Sequence, residues 1–273
     1  MTGNAAEPPI VAGKEYDEPS AFTPDSLLRE ARRQKGLKSV DVPEFCVLDP
    51  DGDIVRRLCR DGRAALDPSW PCYHSELHRF SDDAFHFGII GCAVGASYAV
   101  LVAEQLFSAG CRLLISMSSA GQLNAVRPPP YFVVIERALR DEGTSYHYLS
   151  PSRFSEAPPE LLGPLAGAFD ALRVPVLRGS SWTTDAPFRE TPRAVAARAA
   201  EGMLAVEMEA AALYAFARAR GRAVLCFAHV TNRMGQAGDF EKGEADGTTD
   251  ALAVISAAAR RLASRASSAG PIT

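Results

Sequence analysis

At 273 residues with 47% hydrophobic content, the chain can bury a full core, either as one large α/β domain or as two small ones. A net charge of −4 with mixed signs leaves no basic footprint and argues against nucleic-acid binding. No apolar stretch is long enough to span a bilayer, and Met1 to Ile10 lacks the charged-then-apolar order of a signal peptide, so a cytoplasmic protein without membrane contact is expected.

Residues 1–22 are rich in Pro, Gly and acidic side chains and read as a mobile tail. A short amphipathic helix is predicted over 24–34. From Phe45 onward the pattern becomes strand, glycine turn, helix, repeated. Apolar runs predict buried strands over 85–92, 112–117, 131–136, 174–178 and 223–230, and helical periods fit 97–108, 159–172, 192–201, 207–220 and 249–264. This alternation predicts one α/β domain over 23–265, with a central mixed or largely parallel sheet flanked by helices, and a short tail over 266–273. The six cysteines are scattered, with no close CxxC pair and no clustered histidines; four of them lie in or beside apolar runs, so buried free thiols are expected and a metal site is not.

Three glycine-bearing turns are candidates for ligand contact. In Asp51-Gly52-Asp53-Ile54-Val55-Arg56, glycine permits close approach and the arginine can fork two hydrogen bonds to a phosphate. The acidic neighbours Asp49, Asp51 and Asp53 repel an anion unless they point away, and taken alone the segment also reads as a turn with a solvated arginine. Gly91-Cys92-Ala93-Val94-Gly95-Ala96-Ser97 links a strand to a helix but lacks the third glycine of the dinucleotide fingerprint. In Ser116-Met117-Ser118-Ser119-Ala120-Gly121, read as a turn, hydroxyls and amides can meet an anion or a sugar; the same residues can equally cap the next element.

The densest signal is Val206-Glu207-Met208-Glu209, where two carboxylates stand between an apolar run and an alanine-rich helix. If extended there, the two point the same way; if helical, they diverge. A carboxylate so placed can accept from two vicinal hydroxyls, the pattern a ribose offers, with methionine packing on the sugar face. Acidic residues are also favoured at an ordinary helix start by the helix dipole.

The order of these pieces, with Asp141-Glu142-Gly143-Thr144-Ser145-Tyr146 and Thr184-Asp185-Ala186-Pro187-Phe188 between them, resembles the nucleoside phosphorylase family, and more narrowly its uridine phosphorylase and hexameric purine nucleoside phosphorylase branch. The resemblance runs from about Phe45 to about Leu262. It implies that Glu209 holds the ribose hydroxyls, with Met208 against the sugar and Glu207 nearby. It implies further that Gly52, Arg56 and Ser119 bind phosphate, that Gly121 lines the same turn, that Phe188 flanks the base, and that Asn232 and Arg233 support it. Asp185 reads as a turn cap and His147 as a structural histidine. Arg233 could instead pair with Asp239 or Glu241, in a glycine-rich loop over 234–247 that would suit a flap.

Three departures from the family pattern matter. Ile54 replaces its usual proline, and Ser116 stands where a phosphate arginine is usual; the arginine supplied by a neighbouring subunit has no clear match, with Arg79 and His74 only loosely in range. The resemblance implies phosphorolysis of a nucleoside to free base and ribose 1-phosphate, with catalysis by Arg56, Ser119, Glu209 and Arg233. It implies no metal or organic cofactor, phosphate as co-substrate, and a homo-oligomer, a dimer or hexamer. Neutral Asn232 cannot protonate a purine nitrogen, which leaves uridine-like or 6-oxopurine nucleosides. A water-using nucleosidase and a non-catalytic nucleoside-binding protein are the alternatives.

Overall fold

A computed structural model describes residues 7–82, 85–233 and 247–266. Helix α1 (Pro24–Lys35) starts on the side chain of Thr23, which accepts from Ser26 N–H, and stops at Gly36 in the left-handed conformation. There follow β1 (Phe45–Asp49), α2 (Asp53–Arg60), β2 (Ala64–Leu66), β3 (His78–Asp82), β4 (Phe85–Gly91), α3 (Ala96–Ser108), β5 (Leu113–Gln122), β6 (Tyr131–Asp141) and β7 (Phe154–Glu156). The short α4 (Pro159–Leu162), β8 (Val176–Thr184), α5 (Pro192–Ala200), β9 (Ala205–Glu207), α6 (Ala210–Arg220), β10 (Ala223–Arg233) and α7 (Thr248–Ala266) complete the described chain.

All ten strands belong to one mixed sheet. Strand β1 lies parallel between β4 and β5, and β5 runs parallel to β10. Strand β10 also pairs with β6, β6 with β8, β8 with β9, and β9 returns to β5, so these five strands close into a ring, from which β1, β4, β3 and β2 extend as an open sheet. Alternation along the strands builds two apolar layers. Cys46, Leu48, Leu114 and Cys226 pack toward α1, α3 and α6, whereas Val47, Ile115, Leu225 and Phe227 pack toward α2 and α7. The expected single α/β domain with a mixed sheet and flanking helices is the observed architecture. No helix among the described residues is long and apolar enough to cross a membrane.

Three sequence expectations are corrected. Ser116 to Gly121 is not a turn but the second half of β5, because β10 pairs with all of it on one side, while on the other β1 reaches Ser116 and β9 reaches Gly121. The helix expected over 159–172 breaks after Leu162, where Gly163-Pro164 follows and proline cannot donate to the helix ladder. The helix expected from 207 begins at Ala210, with Glu207 in β9. Residues 7–22 form no helix or strand; Lys14 Nζ is 3.0 Å from His147 Nδ1, and Tyr16 donates to the Tyr146 carbonyl at 3.2 Å.

Candidate active site

The parallel strands β1, β4 and β5 end on one edge of the sheet, the usual place for ligands in open α/β proteins. Gly52, at φ 75°, turns the chain from β1 into α2. A side chain there would place its Cβ 2.6 Å from both Arg56 Nη1 and Cys92 Sγ, so glycine is what allows the β1 and β4 loops to meet over Arg56. Arg56 is exposed; its Nη2 donates to the Asp51 carbonyl and to Asp53 Oδ1, each at 2.6 Å, and its Nη1 to Cys92 Sγ at 3.6 Å.

Across this loop lies β5. Ser119 is half-buried, and its backbone N–H donates to Asp51 Oδ2 at 3.2 Å. On the opposite face of β5, Ser118 Oγ donates to Glu209 Oε2 at 2.7 Å. Gly95 N–H, at the mouth of α3, donates to Glu209 Oε1 at 2.7 Å. Sequence reasoning did not single out Ser118 or Gly95 as partners of Glu209. Reading 116–121 as a strand of period two would have separated Ser118 from Ser119 and pointed each at its own side.

The two glutamates differ sharply in how they are satisfied. Glu207 Oε1 accepts from Ser181 Oγ at 3.0 Å and Thr183 Oγ1 at 2.5 Å, and its Oε2 accepts from the N–H groups of Glu209 at 2.8 Å and Ala210 at 2.7 Å. A carboxylate offers about four lone-pair sites, so Glu207 is saturated by the protein, while Glu209, with two donors, keeps about half of its accepting capacity. Of the pair expected at the ribose, the structure leaves only Glu209 equipped to take further hydroxyls. Both are buried, at 3% and 2% exposure, with Met208 half-buried between them. Burial raises the proton affinity of both carboxyls. At Glu209 the charge of Glu207 adds to that effect, while the donors from Gly95 and Ser118 oppose it. Asp49, beneath the β1 loop, is pushed up to about 7 by burial, although Val55 N–H donates to its Oδ2.

Gly121 pairs with Val206 of β9 and with Asn232 of β10, beside a register shift in β10 between Val230 and Asn232. This brings the Asn232 backbone alongside the β5 end. The backbone of Arg233 pairs with Gln122; its side chain, and residues 234–246 of the expected flap, lie outside the described residues. Phe188, expected beside the base, stands on a single 3-10 turn (Pro187–Arg189) with its side chain 100% exposed, so it packs against none of the residues above. Asp185 accepts from Gly143 N–H at 2.8 Å, a capping contact. Glu142 Oε2 accepts from Ser145 N–H, and Arg140 holds Ser145 Oγ and the Leu149 and Ser150 carbonyls, so the Asp141–Tyr146 segment is internally braced. Ser116 Oγ is buried and has no hydrogen-bond partner among the described residues. Among the described residues no group of histidine, cysteine and carboxylate side chains is spaced to hold a metal.

This arrangement joins a half-satisfied buried carboxylate, a half-buried sulfur side chain, an arginine at the β1 loop and a serine amide on β5. Its wider likenesses agree with its parts. The chain aligns over 184 residues at 27% identity with guanosine phosphorylase of Halorubrum lacusprofundi, covering 66% of this chain and 75% of that one. Its fold superposes on uridine phosphorylase of Vibrio fischeri ES114 with a TM-score of 0.71 at 21% identity, covering 85% of this chain and 99% of that one. Purine nucleoside phosphorylase of Toxoplasma gondii, solved with immucillin-H, superposes with a TM-score of 0.71 at 18% identity over 85% of this chain and 95% of that one. Residues 69–267 match the family model of the phosphorylase superfamily, and the chain belongs to that superfamily.

Proposed function

We propose that the protein cleaves the N-glycosidic bond of a nucleoside by phosphorolysis, releasing free base and ribose 1-phosphate. The observation that carries this reading is Glu209: a buried carboxylate, fixed by Gly95 N–H and Ser118 Oγ, with acceptor capacity still open beside Met208. Breaking the bond between C1′ and the base nitrogen develops positive charge on the ribose and negative charge on the base. Glu209 accepts from the ribose hydroxyls and faces the positive charge, which opposes the pull of burial toward a neutral carboxyl. Arg56, Gly52 and Ser119 seat phosphate against C1′, so that attack and departure share one geometry. Glu207 holds the turn that presents Glu209 and touches no substrate.

Asn232, and Arg233 beyond it, receive the base. A neutral amide cannot protonate a purine nitrogen, which favours a uridine-like or 6-oxopurine nucleoside. Guanosine, for which the archaeal relative is named, is a 6-oxopurine nucleoside. Phosphate enters as co-substrate and no organic cofactor or metal takes part. We place the enzyme in the cytoplasm, a reading supported by six free cysteines, and we expect it as a dimer or hexamer, a reading supported by the exposed apolar side chains Leu66, Tyr73 and Val94.

The test is a panel of nucleosides incubated with purified protein, with and without phosphate, while free base and ribose 1-phosphate are followed. Formation of both, only with phosphate, is expected. Base release independent of phosphate would point to a nucleosidase, and binding without release to a non-catalytic protein; either result defeats the proposal.

A further inference from the structure

Lone pairs are scarce on Glu209. A carboxylate offers about four acceptor positions. Gly95 N–H takes one on Oε1 and the Ser118 hydroxyl one on Oε2, each at 2.7 Å, so one position remains on each oxygen. Two vicinal ribose hydroxyls, both donating, would fill these two. A proton on the carboxyl needs one of the same positions. Gly95 N–H can only donate, and Ser118 Oγ, buried at 4% exposure, has no second acceptor among the described residues, so turning its hydrogen away to receive the proton strands a buried donor. The carboxyl therefore accommodates two ribose hydroxyls, or one hydroxyl and its own proton, but not all three.

Before a ligand arrives, the surroundings favour the proton. Glu209 is buried, and Glu207 beside it, saturated by four donors, keeps the negative charge of the pair. Asp51 of the β1 loop pushes in the same direction, Cys226 of β10 presents a thiol that burial keeps neutral, and α3 and β5 bring only the uncharged donors Gly95 and Ser118, which oppose the shift. We propose that binding of a ribonucleoside expels the proton of Glu209, whereas a 2′-deoxyribonucleoside, with one hydroxyl to offer at this position, leaves it in place. The inference rests on the reading that Glu209 holds the ribose. The carboxyl O–H bond breaks, its electron pair stays on the oxygen, and the proton passes to the buffer; nothing is oxidised or reduced. Because a proton is released, ribonucleoside affinity rises with pH for as long as the free protein carries it, and by linkage one proton is worth about tenfold in Kd per pH unit.

Calorimetric titrations of the native protein with guanosine, uridine and their 2′-deoxy forms, without phosphate at about pH 7, count the released protons from the dependence of the heat on buffer ionisation enthalpy. A bound ribonucleoside should release roughly one proton per site, and the 2′-deoxy form of the same base at most about half as much. The ribonucleoside Kd should also fall with rising pH more steeply than that of the deoxy form. No release with a bound ribonucleoside, or equal release with both sugars, overturns the proposal. Ser118→Ala frees a third acceptor position and should lower the release by at least about half, with Ser118→Thr restoring it; unchanged release in Ser118→Ala overturns the proposal. Glu209→Gln has no proton to lose and should abolish the difference between the sugars; a difference that survives assigns the proton elsewhere and overturns it. Ribonucleoside binding as tight in Glu209→Gln as in the native protein defeats the reading of Glu209 at the ribose, whereas binding that needs Glu209 yet releases no proton defeats this inference alone. The comparison of the two sugars on the native protein carries the test should a variant fail to fold.

Discussion

Glu207 accepts a 2.8 Å hydrogen bond from the backbone N–H of Glu209, so one buried carboxylate fixes the position of the other. The pair is asymmetric: four donors saturate Glu207, and Glu209 is left with capacity for a ligand.

Replacing Glu209 with Ala should lower kcat/KM by roughly 3–5 kcal/mol of transition-state stabilisation, because charge-assisted bonds to the ribose are lost as charge develops there. Steady-state kinetics on the best nucleoside of the panel measures it. A rate within a few-fold of the native protein removes Glu209 from the ribose.

Glu207→Ala should act first on stability. It strands two hydroxyls and two amides in a buried site, a cost on the order of 3–5 kcal/mol in urea unfolding. The same loss of stability from Glu209→Ala, with no difference between the two in kinetics, would contradict the division of roles.

Gly52→Ala tests the loop that carries Arg56. Its φ of 75° costs an L side chain about 1–2 kcal/mol, and the new Cβ would meet Arg56 Nη1 and Cys92 Sγ at 2.6 Å. The guanidinium must move, so KM for phosphate should rise more than KM for nucleoside. Equal changes in both would place Arg56 away from the anion.

Asp49 gives a pH signature. Its folded-state value near 7 lies above the ordinary 3.8, so the folded protein binds this proton more tightly than the unfolded chain. Its contribution to stability is full below about pH 3.8 and is lost as pH rises through about 7. Asp49→Asn, whose amide oxygen can still accept from Val55 N–H, should flatten the fall in unfolding free energy across that window; a slope identical to the native protein's would refute the assignment.

Ser116→Ala should leave stability unchanged or raise it by about 1 kcal/mol, since a buried hydroxyl without a partner is removed. Urea midpoints of the two proteins decide it. A loss of several kcal/mol would mean that the hydroxyl has a partner.

Much of the fold was legible. Apolar runs with Val and Ile marked the buried strands, and the alanine-rich stretch after Glu209 marked α6, because burial imposes a period that local sequence carries. Serine-rich 116–121 misled, since hydroxyl residues signal turns unless a neighbouring strand takes up their backbone groups, as β10 does along this segment. The polar composition of residues 7–22 does not reveal that Lys14 and Tyr16 reach His147 and Tyr146, more than a hundred residues away.

The amino-acid sequence by itself determined the alternation of strands and helices, the carboxylate pair at the entrance to α6, and the glycine before Arg56, because each is a local requirement of burial, capping or backbone freedom. Only the tertiary structure decided which glutamate can take a ligand, which face of β5 each serine serves, and that Asp51 occupies the Ser119 amide. Those facts depend on donors supplied by β8 and by the mouth of α3 and on an acceptor supplied by the β1 loop, and hydrogen-bond saturation is a property of groups brought together in space.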